Sequence, residues 1–87
     1  MRVVIIEDEK PAINKLENLL KEYDDRIEVV AKLASVEESV NWIRKPNNEA
    51  DLFFMDIRLS DGISLDIFDQ VEISKPVIFI TAYNEYA

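Results

Sequence analysis

Cysteine and histidine are absent from this chain, and glycine occurs once, at Gly62. Each absence removes a chemistry. Without thiolate or imidazole there is no zinc site of the usual ligands, no Ser-His-Asp triad and no Cys-His pair. One glycine cannot build a phosphate loop of the Walker or dinucleotide kind. The lack of cysteine is compatible with a reducing cytoplasm. No apolar run approaches the roughly 20 residues needed to cross a bilayer. The opening "MRVVIIEDE" turns acidic after four apolar residues, unlike a signal peptide. A cytoplasmic protein without membrane contact is expected. Basic charge is also scarce, with 10 Lys and Arg against 18 Asp and Glu, for a net charge of −8. Such a surface repels nucleic-acid phosphates and anionic lipid, so direct DNA binding by this segment is not expected.

What the chain does have is carboxylate and a set of short apolar runs. Its 87 residues, 48% of them apolar, allow one domain with a modest core. "RVVII", residues 2–6, is β-branched and apolar, as in a strand buried on both faces. After "EDEK", Pro11 suits the first turn of a helix. Ile13, Leu16, Leu20 and Tyr23 then recur at helical spacing. In "IEVVAKL", Ile27, Val29, Ala31 and Leu33 alternate with Glu28 and Lys32, which predicts a strand covered on one face at a sheet edge. Ser35 followed by Glu38 has the spacing of a capping box. Val36, Val40 and Ile43 continue that helix, and Trp42 is expected at its rim. "LFFM", residues 52–55, is another buried strand, "RLSDG" a loop with Gly62 at a turn, and 63–71 a weaker helix. "VIFIT", residues 77–81, is a fourth apolar strand.

Strands and helices alternating through short links imply an α/β fold with a parallel sheet and helices on both faces. The fourth strand is apolar on both sides, yet little sequence follows it. An edge of that kind needs cover. The chain is therefore expected to be incomplete at its C-terminus, or to pair as a homodimer or swapped oligomer through the uncovered fourth strand.

Ligands of open parallel sheets bind beyond the carboxyl ends of the strands. Glu7 and Asp8 follow the first strand, Asp56 ends the third and Thr81 ends the fourth. Each acid alone has an ordinary reading as a solvated loop residue or a helix cap. Their coincidence at the same ends of buried strands points elsewhere. Crowded carboxylates raise one another's proton affinity unless a cation is present. Oxygen-only ligands suit a hard divalent ion such as Mg²⁺. A metal, a hydroxyl and a carboxylate together suit phosphate, and a carboxylate can attack phosphorus to give an acyl phosphate.

"VVIIEDE", "LFFMDIRLSDG" and "VIFITAYNEYA" together resemble the receiver domain of two-component response regulators, along the whole chain. "MDIRLSDG" followed by "ITAYNEYA" is most similar to receivers that carry a LytTR-type output domain. The resemblance implies a flavodoxin-like (CheY-like) fold, here of order 2-1-3-4, with the fifth strand and last helices of the family's 2-1-3-4-5 pattern missing from this chain. It implies residues 1–87 as an incomplete receiver domain with no output domain present. It implies Asp56 as phosphoacceptor from a sensor histidine kinase. Glu7, Asp8, Asp56 and the backbone carbonyl of Arg58 would bind Mg²⁺. Thr81 would be the switch hydroxyl, and the backbone N–H of Ala82 would hold the phosphoryl group. Such a domain is a signalling switch regulating transcription, and not an enzyme in the ordinary sense. Glu7 stands where Asp is commoner, and Ser60 where many receivers have Pro. The family's lysine at the end of a fifth strand would fall beyond Ala87. Without it, phosphorylation of this segment alone is expected to be slow or absent. The alternative is a receiver-like interaction module that works without phosphorylation. A phosphatase using an aspartyl phosphate expects a second Asp two residues after the first, where Arg58 stands.

Overall fold

The structure, a computed structural model, describes residues 1–80. Its elements are β1 (Arg2–Ile6), α1 (Lys10–Tyr23), β2 (Glu28–Leu33), α2 (Val36–Arg44), β3 (Leu52–Asp56), β4 (Arg58–Leu59), β5 (Gly62–Ile63), α3 (Leu65–Gln70) and β6 (Val77–Ile80). Four strands form one parallel sheet in the order β2-β1-β3-β6. This is the α/β arrangement and the order 2-1-3-4 expected from the sequence. The chain steps outward from β1 to β2, then crosses back to β3. Right-handed crossovers therefore put α1 on one face and α2 on the other.

The central strands are apolar because both faces are covered. Val3, Val4, Ile5 and Ile6 of β1 are all buried, as are Phe53, Phe54 and Met55 of β3. Val4, Ile6, Phe53 and Met55 join Leu33, Val36, Val40, Ala50, Leu59 and Ile67 in one continuous core. Each of these side chains other than Ala50 contributes about 1.5–3 kcal/mol of transfer free energy. Trp42 packs edge-on against Phe53 with ring centroids 6.3 Å apart, half-buried at the rim as expected.

Four local expectations need correction. In β2 the pairing with β1 steps from Val3↔Val29 to Val4↔Ala31, so Val30 is an extra residue. This bulge resets the alternation. Val30, Ala31 and Leu33 all reach the core on the α2 side, and the single face Ile27-Val29-Ala31-Leu33 is not maintained. In α1 only Ile13 is buried, Leu16 and Leu20 are half-buried, and Tyr23 is 86% exposed. At 100° per residue, Tyr23 lies about 80° round the helix from Ile13, at the margin of the covered face. The "RLSDG" loop is a small antiparallel hairpin, pairing Arg58↔Ile63 and Leu59↔Gly62. Helix α3 accordingly begins at Leu65, two residues later than the periodicity suggested. Gly62 has φ +154°, and a Cβ there would meet Asp66 Oδ2 at 2.7 Å.

The capping box forms with one change. The Glu38 N–H donates to Ser35 Oγ at 3.0 Å, while the Glu38 carboxylate accepts from Ala34 N–H at 2.8 Å, one residue before the cap. Strand β6 pairs with β3 alone among the described residues, and its Ile78 and Phe79 are exposed. No helix among the described residues is long and apolar enough to cross a membrane.

Candidate functional site

Register brings the acids together. Strands β1 and β3 run side by side with Ile6 opposite Met55. The residues that follow, Glu7 and Asp56, therefore leave the sheet as neighbours. The Glu7 N–H donates to the Leu33 carbonyl at 2.9 Å, extending the β1–β2 ladder by one bond. That bond holds Glu7 at the sheet's end, where it is only 3% exposed. Asp8, one residue further, is exposed, and Asp56 is half-buried. Carboxylate oxygens of Glu7, Asp8 and Asp56 all lie within 4.8 Å of one another. None of the ion pairs among the described residues involves these three acids.

The environment makes ionisation of Glu7 costly. Burial pushes its carboxyl up from 4.5 to about 7. The Glu9 N–H, donating to Glu7 Oε2 at 3.0 Å, opposes that rise; the charge of Asp56 and hydrogen bonds with Asp8 and Asp56 add to it. Asp56 is positioned differently. Its Oδ1 accepts the Ile57 N–H at 2.7 Å, which fixes the carboxylate plane. A cleft of about 420 Å³ opens above the cluster, lined by Glu7, Asp8, Asp56, Arg58 and Leu59 and by the first turn of α1. Pro11 and Ala12 from that turn carry no charge, so Arg58 is the cation on the wall.

The expected residues divide as follows. The structure brings Glu7, Asp8 and Asp56 together and sets Arg58 on the cleft wall. Thr81 and Ala82 lie outside the described residues. Glu9, the N-cap of α1, lines the cleft too, and its N–H serves Glu7, a role that no sequence pattern marks. A larger open depression of about 530 Å³ lies between α2 and α3. It holds no triad of carboxylates as close as that at the strand ends among the described residues. The close group of carboxylates among the described residues therefore lies at the smaller cleft.

A doubly wound parallel sheet with an acidic cleft at its switch point defines a class of α/β domains. Residues 3–87 match the family described as response regulator receiver domain, and the chain belongs to that family. It is similar to the sensory transduction protein LytT of Bacillus anthracis, with 31% identity over 90 residues, covering 100% of this chain and 35% of that protein. An uncharacterized response regulatory protein of Yersinia pestis is 34% identical over 89 residues, covering 100% of this chain and 36% of its own length. The chain thus spans about a third of the length of the curated relatives it matches. Among solved structures, the response regulatory domain of mrkE from Klebsiella pneumoniae superposes with a TM-score of 0.74 at 31% identity, over 99% of this chain and 70% of that one.

Proposed function

We propose that this receiver domain accepts a phosphoryl group on Asp56 from a sensor histidine kinase in the cytoplasm, and passes the change to a DNA-binding output domain of LytTR type elsewhere in the parent protein. The observation that carries this reading is the convergence of Glu7, Asp8 and Asp56 oxygens within 4.8 Å at the ends of two adjacent strands. The donor set fits Mg²⁺. It is all oxygen, it is short of positive charge, and Glu7 resists ionisation in the absence of a cation. Glu7, Asp8, Asp56 and the Arg58 backbone carbonyl would hold the ion, which when bound supplies positive charge to the carboxylates and to phosphoryl oxygens.

The chain's own residues do the rest. The Ile57 N–H holds Asp56 Oδ1, leaving the other carboxylate oxygen as the nucleophile. That oxygen forms a bond to phosphorus as the nitrogen–phosphorus bond of a phosphohistidine breaks. The departing imidazole keeps the bonding pair and takes up a proton. Water later cleaves the acyl phosphate and restores the carboxylate. Thr81 and the Ala82 N–H are the groups assigned to the phosphoryl oxygens. The domain stays regulatory, since its own side chain is the substrate.

Incubating the full-length protein with Mg²⁺ and beryllium fluoride tests the reading. The amide signals of residues 7, 56 and 57 are expected to move together. Absence of any response would leave the receiver-like module that works without phosphorylation as the better reading.

A further inference from the structure

The segment just after Asp56 is tied to a distant helix. Asp61, at the tip of the β4–β5 hairpin, accepts the Val36 N–H at 2.7 Å and the Glu37 N–H at 3.1 Å. Both amides belong to the first turn of α2, 24 and 25 residues earlier in the chain. Those two hydrogen bonds hold the Asp61 carboxyl below its usual range.

Helix α2 also has a cap of its own. Ser35 and Glu38 already form its cap, using the Glu38 and Ala34 amides. That cap leaves the Val36 and Glu37 amides open, and Val36 is buried, so Asp61 supplies the acceptor that they have among the described residues. The hairpin is anchored at its base, where Leu59 is buried in the core, and has few holds towards its tip. Two residues pair with two. The Ser64 N–H donates to the Ile57 carbonyl at 2.8 Å at its base, and the Ile63 N–H donates to Asp66 at 3.1 Å. Neither bond restrains the tip. Yet Arg58 and Leu59, on its first strand, form a wall of the cleft above Asp56.

We propose that Asp61 is a positioning residue: by clamping the hairpin tip to the N-terminus of α2, it sets where Arg58 stands relative to the Asp56 carboxylate. The proposal rests on the reading of Asp56 as phosphoryl acceptor. Asp61 itself touches neither phosphoryl group nor metal. Small displacements of a wall around a reacting carboxylate cost rate without destroying the site.

The test compares wild type, Asp61→Asn and Asp61→Ala in the full-length protein. Labelling of Asp56 by a small-molecule phosphoryl donor, acetyl phosphate, is measured at saturating Mg²⁺. Amide exchange of residues 58–63 is followed in parallel. Asp61→Ala is expected to lower the labelling rate by about tenfold. Exchange in the hairpin should rise while that of β1 and β3 stays as in wild type. Asparagine keeps a carbonyl acceptor and should lose about threefold. A folded Asp61→Ala that labels at the wild-type rate, or whose hairpin exchanges as in wild type, overturns the proposal. If the alanine variant does not fold, the asparagine variant decides: a partial loss with faster hairpin exchange supports the clamp, and a wild-type rate overturns it. Failure of the wild type to label is a separate result, since it removes the phosphoacceptor reading and the clamp's role with it.

Discussion

Two acidic regions of this domain show how the same functional group is held in opposite ways. At the strand ends, Glu7 is buried among other acids, and its carboxyl is pushed up to about 7. At the start of α2, Asp61 is exposed, faces two backbone N–H groups, and is held below the usual range. Hydrogen bonding to the charged form and desolvation of it act in opposite directions. One region lacks a compensating charge among the described residues; the other is satisfied as it stands. A cluster that the fold leaves uncompensated is a candidate site for chemistry.

The sharpest break in that contrast comes at Asp56. Asp56→Asn in the full-length protein should abolish phosphoryl labelling, with a loss of at least a hundredfold, while circular dichroism stays that of the wild type. Label that persists in this variant and disappears in Glu7→Gln would move the acceptor to Glu7.

Next in size is the pH dependence of stability in metal-free protein. Glu7 binds its proton more tightly when folded than when unfolded. Its contribution is therefore full below about pH 4.5 and is lost as pH rises through about 7. Urea titrations at pH 5 and pH 8 should show this fall, and Glu7→Gln should flatten it. Mg²⁺ should stabilise the wild type more at pH 8 than at pH 5. A wild-type profile level across this range would contradict the upward shift assigned to Glu7.

Asp61 should show the reverse slope. Its contribution is present above its ordinary value of 3.8 and is lost as pH falls through its lower folded value. Acid titration of the Val36 and Glu37 amide signals by NMR should report that loss, and Asp61→Asn should remove the acid-dependent part. Signals insensitive to acid in the wild type would contradict the clamp.

The smallest expected effects separate two buried serines. Ser39 Oγ donates to the Ser35 carbonyl at 2.8 Å, so Ser39→Ala should cost about 1 kcal/mol. Ser64 Oγ is buried without a partner among the described residues, so Ser64→Ala should be neutral or stabilise by about 1 kcal/mol. Chemical denaturation of the two variants, run side by side, checks the difference in sign.

Much of this architecture was legible in the residues because the signals are local and repeated. β-branched runs at residues 2–6 and 52–55, the helical spacing of Val36, Val40 and Ile43, and the Ser35–Glu38 cap each fit within a few residues. Where reading failed, a distant partner had intervened. The bulge at Val30 follows from fitting β2 against β1. The β4–β5 hairpin is the exception, since it pairs residues only three to five apart, in a segment too short to show an alternation. Asp61 reaches α2 across 24 to 25 residues, and no local pattern marks such a bond.

By itself the sequence determined the alternation of elements, and that three acids fall at the carboxyl ends of apolar strands. Periodicity and burial act on neighbouring residues, and strand ends are visible wherever an apolar run stops. Only the tertiary structure decided that Glu7 would be buried at 3% exposure while Asp8 beside it stays in water, and that Asp61 would leave its own hairpin for α2. Desolvation and long-range hydrogen bonds depend on what packs nearby, which is a property of the folded arrangement and not of adjacent letters.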